Sequence, residues 1–122
     1  MENKNLSLSV YERYFNAIEN GTKQVEYREA NNPYWVKKLV DLSAYPGKTP
    51  EEVMDGLLNG KLEIKPIKYD TMTFYTTKGG RRVNLVIQWA DTVVHPGHKY
   101  FAIRMGDLLR DSNGNKPKPK NK

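Results

Sequence analysis

Residues 71–105 fall into three runs in which apolar and polar side chains alternate, separated by two turns that carry glycine. Alternation with a period of two sorts side chains onto the two faces of a pleated strand, so the last third of this chain is committed to antiparallel pairing. Residues 71–76 make a strand of threonines and aromatics, and Lys78-Gly79-Gly80-Arg81 makes a hairpin turn whose glycines supply positive φ. Residues 82–94 form a long strand with Val83, Leu85, Ile87 and Trp89 on one face, long enough to bend near Ala90-Asp91. His95-Pro96-Gly97-His98 is a second turn. Residues 99–105 return with Phe101, Ile103 and Met105 alternating against Tyr100, Ala102 and Arg104. Gly106-Asp107 is expected to break that strand, with Leu108-Leu109 folding back onto the core.

The first two thirds read differently. Leu6, Leu8 and Val10 alternate with serines in a short half-buried strand. Ser9 and Glu12 fit a capping box, and Tyr11, Tyr14, Phe15 and Ile18 come next at helical spacing as one apolar stripe. Asn20-Gly21 ends this helix. Residues 23–29 read as a strand with Val25 and Tyr27 on one face and Gln24, Glu26 and Arg28 on the other. Asn32-Pro33 opens a short helix to Leu39 or Val40, with Trp35 and Leu39, or Val36 and Val40, toward the core. Thr49-Pro50-Glu51-Glu52 is a second capping box; its helix buries Val53, Met54, Leu57 and Leu58 and stops at Gly60. Leu62-Glu63-Ile64 is a further short strand, and Pro66 confines the residues after it to an edge. The order is β-α-β-α, an inserted helix, then antiparallel strands. That is an α+β fold with a small mixed, mostly antiparallel sheet that curls into a barrel, flanked by two or three helices.

One domain accounts for 122 residues, and residues 1–111 hold everything that can pack. Residues 112–122 are Ser, Asn, Gly, Pro and Lys only, a basic tail expected to be disordered. The net charge of +6 includes Lys116, Lys118, Lys120 and Lys122, and without those four the body stands at +2. Clustering of charge in the body is therefore more informative than its total. With no cysteine there is no disulfide framework or thiolate metal site, and a reducing cytoplasm suits the chain. No apolar run at the N-terminus reads as a secretory signal, and none approaches the ~20 residues of a membrane span. His95 and His98 have the spacing of a metal pair but sit in a turn with no third ligand, so no metal is expected. No cofactor motif is present either; Lys78-Gly79-Gly80-Arg81 lacks the length and subsequent helix of a phosphate loop.

The stretch Gly21-Thr22-Lys23-Gln24-Val25-Glu26-Tyr27-Arg28 carries the most chemistry, a G-x-K-x-x-E-x-R pattern between a helix stop and a strand. With the Pro33-Tyr34-Trp35 segment after it and the closing Tyr100-Phe101-Ala102-Ile103-Arg104-Met105-Gly106, it resembles the ASCH family, a branch of the PUA-like β-barrel superfamily. The resemblance spans Leu6 to about Leu109, with residues 41–70 as a family-variable insertion. It implies a β-barrel with a cleft beside the signature strand, and a partner that is RNA or a nucleotide-like small molecule. Some members hydrolyse RNA or acylated nucleosides. In the acetylcytidine amidohydrolase members a lysine, a threonine and a glutamate form the catalytic set. The lysine corresponds to Lys23, but the threonine position holds Glu26, so that activity does not carry over.

Lys23, Glu26, Arg28 and Tyr34 are accordingly the candidate ligand-binding residues. Arginine takes a phosphate through two parallel N–H bonds, lysine supplies a point charge, and Tyr34 offers a ring for a base. On periodicity alone a solvated strand face is the simpler reading, and the resemblance puts the pocket ahead of it. Strict alternation turns Lys23 away from Glu26 and Arg28 unless it lies in the turn. If the protein is an enzyme, Glu26 is its general base and Lys23 or Arg28 steadies negative charge. Lys78, Arg81 and Arg82 crown the hairpin as a basic finger for a nucleic-acid backbone, or else form an ordinary polar tip. The inserted segment around Glu51 to Gly60 is a third possibility, as a surface for a protein partner.

Overall fold

The computed structural model describes residues 4–95, 97 and 99–117. It shows an α+β fold with five strands, three α-helices and one short 3-10 turn among those residues. The elements are β1 (Asn5–Ser9), α1 (Glu12–Glu19), β2 (Val25–Glu29), α2 (Pro33–Leu39), α3 (Pro50–Leu58), β3 (Thr71–Lys78), β4 (Arg81–Val94) and β5 (Tyr100–Arg110). The strands hydrogen-bond in the order β1-β3-β4-β5-β2; β1 runs parallel to β3, whereas β3–β4 and β2–β5 are antiparallel. The sheet is mixed and mostly antiparallel. Its pairing is open, with β1 and β2 at the two ends, so the closed barrel expected from the sequence is not made.

The chain divides into two compact units. The first comprises residues 1–24, 69–90 and 105–122, and the second residues 25–68 and 91–104. Both β4 and β5 run through the division, which crosses β4 between Ala90 and Asp91, where the sequence suggested a bend.

In the first unit Leu6 and Leu8 of β1 point inward beside Met72 and Phe74 of β3. Helix α1 packs on β3 with Phe15 and Ile18 buried. The β3–β4 turn obeys its sequence, with Gly79 at φ 54° and Gly80 at φ 78°, values that a Cβ would strain. Three expectations change here. Helix α1 has Tyr11 at its N-cap with no side-chain cap, because Ser9 is spent as the last residue of β1, in register with Tyr75. The stripe on α1 is only half buried, with Tyr11 74% and Tyr14 37% exposed. And β5 runs straight through Gly106-Asp107 to Arg110. Gly106 serves close packing instead of a break: a Cβ there would meet the Gln88 side chain at 3.0 Å and its carbonyl oxygen at 3.3 Å.

In the second unit α2 packs on α3, with Val36, Leu39, Val53 and Leu57 buried. Both caps are as read from the sequence. The Asn32 side chain accepts from Tyr34 N–H at 3.0 Å, and Thr49 and Glu52 form a complete capping box. Leu62-Glu63-Ile64 makes no strand. Leu62 instead packs over Gly56 of α3, and the chain is tied back by an isolated bridge between Val40 and Pro66. The Tyr45 hydroxyl braces the same stretch, donating to the Glu63 carbonyl and accepting from Lys65 N–H.

Residues 111–115 form a turn around Asp111, whose carboxylate accepts from Asn113 N–H at 2.9 Å and Asn115 N–H at 3.0 Å. Lys118, Lys120 and Lys122 of the expected tail lie outside the described residues, as do Pro96 and His98.

Candidate functional site

Strand β2 turns its polar face inward. Glu26 is buried at 8% exposure and Arg28 is half-buried, while Tyr27 between them is 58% exposed. The register explains their setting: Glu26 pairs across with Ile103 and Arg28 with Phe101, and registered partners share a face. Ile103 and Phe101 are fully buried, so the two charges stand beside an apolar floor. They are two residues apart on one strand and meet directly, Arg28 Nη2 lying 2.8 Å from Glu26 Oε2. A charge pair with side chains 18% and 11% exposed is costly to desolvate.

Helix α2 completes the group. The Arg28 guanidinium lies 4.9 Å from the Trp35 ring centroid, within cation–π range. Trp35 meets Tyr34 edge to face at 4.9 Å and 87°. Tyr34 is 55% exposed, and the Lys38 ammonium stands 6.0 Å from its ring. Glu26, Arg28, Trp35, Tyr34 and Lys38 thus form one connected set running from buried charge to exposed ring. The sequence singled out Glu26, Arg28 and Tyr34. It placed Trp35 in the core and missed Lys38, whose signal was its position four residues after Tyr34 on one helical face.

Lys23 belongs to the first unit. It lies in the turn between α1 and β2, where its N–H donates to the Ala17 carbonyl at 3.0 Å. Its ammonium stands 5.3 Å from the Tyr14 ring. With Glu19, Gly21, Ile87 and Met105 it lines a cavity of about 530 Å3. Arg81 and Lys78 face each other across the β3–β4 turn; the Lys78 ammonium lies 5.0 Å from the Phe15 ring, and the Arg82 guanidinium 4.0 Å from the Tyr75 ring.

Among the described residues, no cluster of three or more His, Asp or Glu side chains is disposed to hold a metal ion. No helix among them is long and apolar enough to cross a membrane. Comparison with protein-family models, with curated proteins and with solved structures found no match to this chain.

Proposed function

We propose that this protein is an RNA- or nucleotide-binding module of ASCH/PUA-like type, with its ligand held in the second unit by Arg28, Glu26 and Tyr34. The observation that carries the reading is the inward-facing Glu26–Arg28 pair beside Trp35, continued to solvent by the Tyr34 ring. A guanidinium has five N–H donors in a fixed fork, which suits a phosphate or the acceptor edge of a base. A carboxylate held by that guanidinium is pre-aimed to accept an N–H from a base or a hydroxyl from ribose. An exposed tyrosine gives a sequence-tolerant stacking surface. The composite fits a ligand with an anionic or acceptor edge and a flat ring.

The alternative, hydrolysis of RNA or of an acylated nucleoside with Glu26 as general base, is less well served. Glu26 Oε2 already receives Arg28.

The test is a titration of nucleosides, nucleoside monophosphates and short RNAs, monitored by tryptophan emission and calorimetry. Quenching by a mononucleotide is expected. Tyr34→Ala should weaken it about tenfold without disturbing the fold, as the ring is 55% exposed. Arg28→Lys, which keeps the charge and loses the fork, should weaken a phosphate-bearing ligand more than its nucleoside. Binding that ignores both variants would overturn the site. Turnover of an acylated nucleoside that is lost in Glu26→Gln would establish the hydrolase instead.

A further inference from the structure

The first unit carries a second concentration of chemistry that the Arg28 group does not use. Arg13, Lys23, Lys78, Arg81 and Arg82 come from α1, the turn after it and the β3–β4 hairpin, and tyrosines are interleaved with them. Around Tyr14 the contacts are continuous. The Tyr14 ring has the Arg13 guanidinium at 4.7 Å and the Lys23 ammonium at 5.3 Å, and lies 6.2 Å from the Tyr11 ring. Tyr11 in turn borders a recess of about 430 Å3 whose other wall includes Tyr75, Thr77 and Arg82.

Two features separate this face from an ordinary polar surface. Its aromatic rings are left in water on a stripe whose helical spacing would suit a core, Tyr11 being 74% exposed. And several of the unit's acids are taken up by backbone. Glu12 borders the recess, but Asp70 accepts from Lys4 N–H, Glu19 from Ser112 N–H, and Asp111 from the turn after it.

We propose that this surface binds single-stranded RNA, with bases stacked on Tyr11 and Tyr14 and the backbone drawn along Arg13 and over the β3–β4 hairpin, where Lys78 and Arg81 lie on one side of the ladder and Arg82 on the other. A single strand can offer its ring faces to tyrosine while its phosphates reach cations, which a closed duplex cannot do. The exposed Thr77 beside the recess offers a hydroxyl for a ribose 2′-hydroxyl that deoxyribose lacks. The inference shares its ligand class with the proposed function but uses different residues in the other unit.

The test is fluorescence anisotropy with a labelled ~12-nucleotide single strand, its duplex, the matching DNA strand and a polyphosphate of equal charge, over a salt series. The RNA strand is expected to bind at least about tenfold tighter than the duplex, with the four cations contributing about −3 to the log–log salt slope beyond whatever the tail lysines add. Tyr11→Ala should cost about tenfold, and Arg81→Gln should shallow the slope by about 0.7. The exposure of both side chains lets these variants fold, checked by circular dichroism. Single-strand binding that is unchanged in Tyr11→Ala, or matched by the duplex or the polyphosphate, overturns the proposal; a DNA strand bound as tightly as RNA overturns RNA as the occupant. If the wild-type protein ignores mononucleotides while Tyr11→Ala weakens RNA binding, the Arg28 reading falls and this one stands. If mononucleotides bind through Arg28 while Tyr11→Ala is silent, this one falls alone.

Discussion

Glu26 and Arg28 can be separated into what they do for folding and what they do for binding. Truncating one member of a largely buried pair leaves the other charge stranded, whereas replacing both by apolar groups removes the desolvation cost as well. Glu26→Ala should therefore destabilise the protein by about 2–4 kcal/mol in urea unfolding. Glu26→Met with Arg28→Met should be near neutral or stabilising, since Phe101 and Ile103 already line that face. If the double variant is as stable as the wild type yet no longer binds mononucleotides, the pair is kept for its ligand. A double variant as unstable as the single one would mean the pair is structural. Asp91 gives a second residue-scale prediction. The hydrogen bond from Arg104 holds its carboxyl below the usual carboxylate range, and the backbone N–H of Thr49 does the same for Glu52. A depressed folded value means stability that is present above the unfolded value, about pH 4, and is lost as pH falls through the folded value. The thermal midpoint should decline below about pH 4, and Arg104→Gln should remove the Asp91 share of that decline. A profile unaltered by Arg104→Gln would contradict the assignment.

At the scale of elements, the sequence made legible the features that are locally enforced. Helices α2 and α3 begin where Asn32-Pro33 and Thr49-Pro50 say they should, because a cap satisfies its own orphan amides within one turn. The Gly79-Gly80 turn is equally local. The polarity of β2 was not legible: a period of two defines two faces without saying which is covered, and here the covered one bears Glu26 and Arg28 while Tyr27 looks out. Helix α1 fails the same way, because helical spacing cannot say that α1 meets β3 through Phe15 and Ile18 and leaves Tyr11 outside. Leu62 was misread because its partner is Gly56 of the helix before it, not a neighbouring strand. That contact is testable. Gly→Ala in a helix ordinarily gains about 1 kcal/mol, but a Cβ at Gly56 would overlap Leu62 Cδ1 and Cγ. Overpacking of this kind costs about 1–3 kcal/mol, so Gly56→Ala should come out net destabilising by about 1 kcal/mol. Adding Leu62→Ala should abolish the Gly56→Ala penalty in a double-mutant cycle of unfolding free energies; strict additivity would show that the two residues do not touch.

For the whole molecule, charge is where composition and structure have to be read together. Counted by unit, 11 Lys and Arg against 6 Asp and Glu put +5 on the first unit, and 9 against 8 put +1 on the second. Four of those first-unit lysines are Lys116, Lys118, Lys120 and Lys122, and without them that unit is only +1. A pI of 9.5 therefore reports the tail, while the grouping of Arg13, Lys78, Arg81 and Arg82 is a matter of placement that no total reveals. The two contributions have different signatures. Unclustered lysines add counterion release without regard to base or strand, whereas tyrosines framed by cations add stacking that survives salt. Replacing the four tail lysines by glutamine should weaken RNA binding at low salt and shallow the log–log slope by up to about 3. It should leave the preference for single strand over duplex intact, since that preference is assigned to Tyr11 and Tyr14. Measured at moderate salt, where the tail contributes least, the four-lysine variant and the wild type should converge, and Tyr11→Ala should remain apart from both. Loss of the strand preference along with the tail charges would move the RNA-binding role from the face of the first unit to its terminus.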